Sequence, residues 1–134
     1  MIEKIFDATD ENLHPVLSLI EEELEKRDCS MKTQMMIAVM AEEIFINIAH
    51  YAYTDKTGQV KICLDFKGDD FYLTFIDSGI EFDPLKKPDP DITASAQERE
   101  IGGLGIYMVK KTMDEVTYAR EDGKNILTLR KAIR

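Results

Sequence analysis

The sequence lacks several features that mark specialised classes of protein. It has two cysteines, two histidines and no tryptophan in 134 residues, too few for a disulfide scaffold or a four-ligand zinc site. Basic residues are also scarce, because 17 lysines and arginines stand against 26 aspartates and glutamates, a net charge of −9. That balance argues against a broad basic surface, so we expect no direct nucleic-acid partner and no anionic membrane surface as a partner.

Long hydrophobic runs are missing as well. The two most apolar stretches, Met35–Ala41 and Ile44–Ala49, are separated by Glu42 and Glu43, and this interruption predicts no membrane span. The N-terminus has no basic segment followed by an apolar one, as a secretory signal would have. We therefore expect a cytoplasmic protein.

What is present is a globular composition with helical periodicity. Apolar residues make up 44% of the chain and charged residues 32%, and the length predicts a single domain over residues 1–134. Apolar residues at spacings of three and four predict three helices, the first after a cap at Asp10 or Asn12. The first helix continues to about Leu24, and the other two are predicted over Ser30–Tyr53 and Gly103–Glu115.

Alternation of apolar and polar residues predicts five strands. They are an edge strand, Ile2–Ala8, and two hairpins, Val60–Lys67 with Phe71–Ile76 and Val116–Arg120 with Ile126–Ile133. The order β-α-α-β-β-loop-α-β-β favours an α+β fold, a two-layer sandwich with helices on one face of a mixed, mainly antiparallel sheet. The aperiodic stretch from Asp77 to Ile101 contains three prolines and is typical of a lid or binding loop.

Two polar residues lie on the otherwise apolar second helix. Glu43 and Asn47 are four residues apart, so they share one face of that helix. Burying either without a partner would cost several kcal/mol, and one interpretation is a mutually satisfied polar pair. The functional interpretation is that Asn47 offers a neutral oxygen to Mg²⁺ and Glu43 offers a base.

Two further motifs lie at element ends. Asp77-Ser78-Gly79 follows a strand, where it forms either a simple turn or a carboxylate that accepts a proton from a ligand amine. Gly102-Gly103-Leu104-Gly105 opens the third helix, where it is either a hinge or packing device, or a set of free N–H groups suited to phosphates.

Taken together, three motifs resemble the N, G1 and G2 boxes of the GHKL ATPase superfamily: Glu43-x-x-x-Asn47, Asp77-x-Gly79-x-x-Phe82-Asp83 and Gly102-Gly103-Leu104-Gly105. The sequence is most similar to the anti-sigma-factor serine kinases of the RsbW type, whose glycine motif it follows through Lys110. The similarity covers essentially the whole chain. It implies the Bergerat fold of the histidine-kinase-like ATPase domain.

The resemblance also implies roles for single residues. Asn47 would hold Mg²⁺ against the phosphates of ATP, and Glu43 would be the general base for an attacking serine. Asp77 would recognise the adenine amino group, Gly79 would pass beneath the base, and Thr128 would bind the adenine side through its hydroxyl.

The phosphate side is implied in the same way. Gly103, Leu104 and Gly105 would wrap the phosphates, and Arg99 would meet the γ-phosphate, with a solvated loop charge as the alternative for Arg99. The family often has histidine four residues after the N-box asparagine, where Tyr51 stands here. His50, one position earlier, is interpreted as structural.

The function implied is an ATP- and Mg²⁺-dependent serine protein kinase of the partner-switching type. It would phosphorylate an anti-anti-sigma-type antagonist, sequester a second partner such as a sigma factor, and form a homodimer. The alternative is a regulator whose nucleotide controls partner binding without phosphate transfer. A metal hydrolase built on Glu42, Glu43 and His50 lacks any recognised ligand spacing.

Overall fold

The computed structural model describes residues 1–54, 57–86 and 103–134. Five strands form one sheet: β1 Ile2–Asp7, β2 Gln59–Lys67, β3 Asp70–Asp77, β4 Glu115–Glu121 and β5 Lys124–Ala132. Their order across the sheet is β1-β2-β3-β5-β4, and every pairing among the described strands is antiparallel. The two predicted hairpins and the predicted edge strand are therefore confirmed.

Three α-helices accompany the sheet: α1 Leu13–Glu25, α2 Met31–Asn47 and α3 Gly103–Thr112. A π-helical segment, Ile48–Ala52, extends α2 to the predicted length. α3 ends three residues before the predicted Glu115 because the chain beyond it joins the sheet. The Asp114 N–H donates to the carbonyl of Arg130 at 2.9 Å, which begins the approach to β5.

The helix caps were predicted with mixed success. Ser30 caps α2 as predicted, since its hydroxyl accepts from the Thr33 N–H at 3.2 Å. Asn12 stands at the N-cap position of α1, as one of the two predicted alternatives, but its side chain makes no capping hydrogen bond. The Asn12 amide instead donates to the Asp7 carbonyl at 2.9 Å, and Asp10 pairs with His50 at 2.7 Å; these contacts compete with local capping.

The helices cover one face of the sheet, and the core lies between the two layers. The helical residues with at most 4% exposure include Val16, Ile20, Leu24, Ile37, Met40, Ala41, Ile44, Phe45 and Val109. Facing them from the sheet are Val60, Ile62, Leu64, Phe71, Leu73, Phe75 and Leu129, each at most 2% exposed. The α+β sandwich predicted from the element order is confirmed, but the sheet, predicted to be mixed, is antiparallel throughout the described strands.

One helix of the described chain is long and apolar enough to cross a membrane by length and composition alone. It is the 22-residue stretch Met31–Ala52, with a hydropathy of 1.3, which differs from the prediction made from its two glutamates. In this fold one face of the stretch belongs to the core, since Ile37, Ala41 and Phe45 on it are at most 1% exposed, whereas most of the stretch is not buried.

Candidate active site

A cavity of about 460 Å³ opens between the C-terminal half of α2 and the sheet. Its volume falls within the range of small-molecule sites. Most of the lining is apolar, and Asp77 is the one charged residue among the described lining residues. The other lining residues with polar groups in their side chains are Asn47, Tyr51, Tyr118 and Asn125. The cavity thus combines an apolar wall with a few polar groups, as ligand sites do.

Asp77 and Asn125 form a buried polar pair on the sheet side of the cavity. They stand opposite each other on β3 and β5, and each is 6% exposed. The Asn125 amide donates to Asp77 Oδ1 at 3.0 Å, and the Gly79 N–H donates to the same oxygen at 2.9 Å. Both bonds that Asp77 accepts from the described residues use Oδ1, so its Oδ2 can accept from a ligand.

The orientation of the Asn125 amide is set by four partners. Its Nδ2 also donates to the Ile80 carbonyl at 2.8 Å, while its Oδ1 accepts from the Phe82 N–H at 3.2 Å and from the Tyr118 hydroxyl. Two acceptors on one side and two donors on the other permit only one amide orientation. Asn125 therefore holds the loop after Asp77 against β4 and β5, and sequence reasoning did not identify it.

The turn between β4 and β5 fixes the pairing of these two strands at the cavity end of the sheet. Asp122 and Gly123 have φ values of 52° and 75°, the conformation of a two-residue hairpin turn. Inward residues of β5 then alternate from Asn125 to Leu127 and Leu129. This alternation was the signal in the sequence that could have shown Asn125 to face inward, whereas its pairing with Asp77 depends on the register of β3 with β5.

Gly79 lets the loop after β3 touch the end of the π-helical segment. A Cβ at Gly79 would overlap the backbone of Ala52, and the neighbouring Ile80 N–H donates to the Ala52 carbonyl at 2.9 Å. The predicted close approach at Gly79 is thus made to Ala52, within the protein. Contact with a base is a separate prediction.

Glu43 and Asn47 lie together as predicted from their spacing. The Asn47 amide donates to Glu43 Oε1 at 3.4 Å. This bond uses Asn47 Nδ2 and leaves its Oδ1 as an acceptor at the cavity wall. Glu43 is not among the residues that line the cavity. Its carboxyl contacts Asn47, which does line the cavity.

Gly105 explains why α2 and α3 approach closely at this point. A Cβ on Gly105 would overlap the carboxyl of Glu43, so the absence of a side chain leaves room for that carboxyl between the helices. Burial raises the pKa of Glu43 and the neighbouring Glu42 raises it further, whereas the hydrogen bond from Asn47 opposes the rise. A carboxyl with a raised pKa is better matched to accepting a proton near neutral pH.

Two neighbouring aromatic residues of the π-helical segment, His50 and Tyr51, face different ways. Tyr51 lines the cavity, while His50 is directed away and pairs with Asp10 at 2.7 Å. The interpretation of His50 as structural agrees with this geometry. Tyr51 lies in the cavity wall one turn after Asn47, at the position where the family often has histidine.

Thr128 does not reach the cavity, and this corrects its predicted contact with the adenine side. It stands opposite Thr74 in the β3–β5 register, and the two hydroxyl oxygens are 3.1 Å apart. Since Asn125 and Leu127 face the cavity, the alternation of β5 directs Thr128 to the opposite face of the sheet.

The remaining predicted residues belong to the start of α3 and the loop before it. Gly103 and Leu104 begin α3, and Ile106, one turn later, lines the cavity. Arg99 and Gly102 lie outside the described residues, as does most of the predicted lid. Within the described part of that loop, Pro84–Lys86 is a 3-10 turn whose Pro84 also lines the cavity.

Comparison with known proteins identifies the family. Residues 6–131 match the family model described as the histidine kinase-like ATPase domain. Because this match spans nearly the whole chain, the chain belongs to that family. The resemblance drawn from the three motifs is thereby confirmed.

Similar proteins include two curated kinases. Serine/threonine-protein kinase BtrW of Bordetella bronchiseptica is 27% identical over 101 residues, which are 75% of this chain and 71% of BtrW. Serine-protein kinase RsbW of Bacillus cereus is 28% identical over 97 residues, which are 69% of this chain and 59% of RsbW. The chain thus spans less than two thirds of the length of that relative.

A solved structure supports the fold. The RsbU and RsbW domains of Rv1364c from Mycobacterium tuberculosis superimpose with a TM-score of 0.64 at 17% identity, covering 99% of this chain and 33% of that one. At that identity the likeness concerns the fold alone. It agrees with a five-stranded sheet covered by helices on one face.

Proposed function

We propose that this chain is an ATP-dependent serine protein kinase, and that the cavity beside α2 holds the nucleotide. The observation that carries the proposal is the placement of Asn47 and Asp77 on opposite walls of one cavity, with the Glu43 carboxyl directly behind Asn47. The similarity to BtrW and RsbW supports phosphate transfer as the reaction.

Adenine recognition is assigned to the sheet side of the cavity. The free oxygen of Asp77 accepts from an exocyclic amine, and the apolar walls formed by Ile48, Ile80 and Leu127 enclose a flat base. Adenine carries an amine at the corresponding position and guanine a carbonyl. A fixed acceptor therefore favours ATP over GTP, because the wrong base leaves buried polar groups unpaired.

The metal is assigned to the helix side. Among the described residues no group of three or more histidines, cysteines or carboxylates could hold a metal ion, so an all-protein cage does not fit. A single asparagine oxygen does fit Mg²⁺, which is commonly held by one or two protein ligands together with phosphates. Asn47 Oδ1 would be that ligand, and the bound ion would neutralise phosphate charge.

Glu43 is assigned the proton transfer. The serine oxygen of a partner protein attacks the γ-phosphorus, its proton passes to the Glu43 carboxylate, and the bond to the bridging oxygen breaks to leave ADP. Phosphoryl transfer depends mainly on positioning and charge neutralisation. Gly103, Leu104 and Gly105 at the start of α3 would supply N–H groups toward the phosphates, and Arg99 would add a cation.

The partners are proposed from the same family resemblance. The phosphorylated protein would be an anti-anti-sigma-type antagonist, a sigma factor would be the sequestered partner, and the kinase would act as a homodimer. The alternative is a binding regulator that uses the nucleotide only to control affinity. That alternative requires no proton acceptor, and so the behaviour of Glu43 separates the two functions.

The test is phosphate transfer from γ-labelled ATP to purified serine-bearing antagonists of the anti-anti-sigma type. We expect Glu43→Gln to reduce transfer by about 10²–10⁴-fold, the usual value of general-base assistance, while ATP affinity stays close to wild type. Asn47→Ala should weaken Mg-ATP binding and transfer together.

Glu42→Gln is the matched control, since Glu42 is the exposed neighbour of Glu43 on the same helix. It should leave transfer within about twofold of wild type, as surface substitutions usually do. Transfer by Glu43→Gln at the wild-type rate would remove Glu43 from the mechanism. ATP-dependent antagonist binding with no transfer by the wild type would establish the binding regulator instead.

A further inference from the structure

A second groove, of about 230 Å³, lies between α1 and the N-terminal half of α2. Its lining includes Leu17 and Glu21 of α1, and Met31, Gln34 and Met35 of α2. Met35 and Asn47 are twelve residues apart, about 18 Å along the helix axis. The groove is therefore separate from the cavity, and none of the proposed kinase chemistry uses it.

The α2 side of the groove, at Met31 and Met35, continues into an exposed apolar stripe that also includes Val39. Met31 and Met35 are each 62% exposed and Val39 is 57% exposed, and their spacing of four residues puts all three on one face of the helix. Contiguous exposed apolar surface of this kind marks sites of protein interaction. Methionine suits such a site because its flexible side chain adapts to different partners.

Gln34, at the floor of the groove, carries an unmet hydrogen-bond acceptor. Its side chain is only 5% exposed, and its Nε2 donates to Glu25 Oε2 at 2.8 Å and to the Cys29 carbonyl at 2.9 Å. These two bonds fix the amide so that Oε1 is buried without a partner in the described chain. An unpaired buried acceptor is costly, and a donor from an incoming segment would relieve that cost.

The charge around the groove selects the kind of donor. Glu21, Glu22 and Glu25 are exposed on α1, and no lysine or arginine occurs between Leu13 and Glu25. Of the nearby bases, Lys26 pairs with Glu23 at 2.9 Å, and Lys32 lies on the first turn of α2. The acidic side of the groove therefore favours a cationic donor.

We propose that this groove docks a basic amphipathic helix of a protein partner. Aliphatic side chains of that helix pack on Met31, Met35 and Val39, as in other helix-in-groove complexes. A lysine or arginine of the helix donates to Gln34 Oε1 and to the carboxylates of Glu21 and Glu25. A second copy of this chain is disfavoured there, because two acidic faces would repel each other.

The test uses synthetic helical peptides with leucines at helical spacing and lysines beside them. A matched peptide carries glutamate at every lysine position, and a third carries norleucine at the central lysine. We expect the lysine peptide to bind at least about 10-fold tighter than the glutamate peptide, because opposite charges meet at the groove. In protein with ¹³C-methyl methionine, the peptide should shift the Met31 and Met35 signals and leave the Met108 signal unchanged.

Variants of exposed residues locate the site. Met35→Lys should weaken the lysine peptide by about 10-fold or more through like-charge repulsion. The matched control is Met108→Lys, an exposed methionine of α3 (46% exposed), which should change affinity by less than about twofold.

A double-mutant cycle between the central lysine of the peptide and Gln34 of the protein tests their contact separately from any effect on folding. Norleucine in the peptide should weaken binding to wild type by about fivefold or more and to Gln34→Met by less than about twofold, since the donor then has no amide oxygen to reach. Equal affinities of the lysine and glutamate peptides, no saturable binding of the lysine peptide, or equal losses in both methionine variants would overturn the proposal. So would self-association of the wild type that Met35→Lys abolishes, which would assign the groove to a second copy.

Discussion

The two faces of the sheet use polar residues from the same strands in opposite ways. On the cavity face, Asp77 and Asn125 are 6% exposed, and the Asn125 amide is fully hydrogen bonded. On the outer face, Thr74 and Thr128 stand opposite each other only three positions away and are half-buried. Their hydroxyls bond to each other at 3.1 Å, and water can replace that bond.

This difference shows that the face of the sheet on which a polar side chain lies decides how much its substitution costs. An inward polar residue satisfies most of its donors and acceptors within the protein or with a ligand, because bulk water has little access to it. An outward residue has water as an alternative partner. Substitutions on the two faces of β5 should therefore differ sharply in their effects.

The largest effect is expected for Asn125→Leu. Leucine has a similar volume, but it removes the amide that donates to the Ile80 carbonyl and to Asp77 and that accepts from the Phe82 N–H. We expect the free energy of unfolding to fall by about 3 kcal/mol or more, as the loss of a buried network does, and ATP affinity to fall with it. Urea denaturation measures the first and titration calorimetry the second. A loss below about 1 kcal/mol would show that water satisfies these groups.

A glycine pair on the cavity face gives the next largest effect. A Cβ at Gly79 meets the backbone of Ala52, whereas one at Gly105 meets the end of the Glu43 side chain. Backbone cannot move aside as a carboxyl can. We expect Gly79→Ala to lower the free energy of unfolding by about 2 kcal/mol and Gly105→Ala to lower it by less than about 1 kcal/mol. Equal losses in urea titrations would contradict this reasoning.

Gly105→Ala should still impair function, since it displaces the Glu43 carboxyl from its place behind Asn47. Phosphate transfer should fall in this variant while its unfolding midpoint stays near wild type. The glycine pair thus separates a contact that supports the fold from one that supports the site.

A smaller effect concerns the pH dependence of stability. Burial raises the pKa of Glu43 in the folded state, so the folded protein favours the protonated carboxyl. The stability that this shift contributes is fully present at pH values below the pKa of Glu43 in the unfolded chain. It is lost as the pH rises through the pKa of Glu43 in the folded protein. We expect Glu43→Gln, which cannot ionise, to be slightly more stable than wild type at neutral pH and equal to it in acid. Urea midpoints of wild type and variant across this pH range measure the difference; a variant less stable at neutral pH would contradict the direction.

The smallest effect is expected for Thr128→Val on the outer face. Valine keeps the shape of threonine and removes one hydroxyl, whose partner Thr74 can bond to water. ATP affinity should stay within about twofold of wild type, because outer-face substitutions rarely exceed about 0.5 kcal/mol. A large loss of affinity would restore the predicted adenine contact of Thr128 and would mean that β5 turns its other face to the nucleotide.

Much of the fold could be predicted from local patterns. The alternation in Val60–Lys67 and Phe71–Ile76 identified a hairpin, and Ser30 identified the start of α2, since both signals depend on neighbours along the chain. The end of α3 could not be predicted in this way. Asp114 leaves the helix because it bonds to Arg130 and Ala132 of β5, residues that are distant in sequence.

The candidate site divides along the same line. The pairing of Glu43 with Asn47 followed from helical spacing, and the cavity contains Asp77 as the strand-end motif suggested. Asn125 was missed because its importance depends on a β3–β5 register that no single strand reveals. Thr128 was assigned to the wrong face because its residue type was matched to a role without that register.

By itself, the sequence determined the order of helices and strands, the family, and which residue types stand at each motif. These depend on local spacing and on short motifs, and such signals involve only residues that are close together in the sequence. Only the tertiary structure decided which partners those residues meet: Asn125 with Asp77, Gly105 with Glu43, and Gln34 with Glu25 at the floor of a groove. Such contacts join distant segments, and burial then makes each unpaired polar group costly enough to matter.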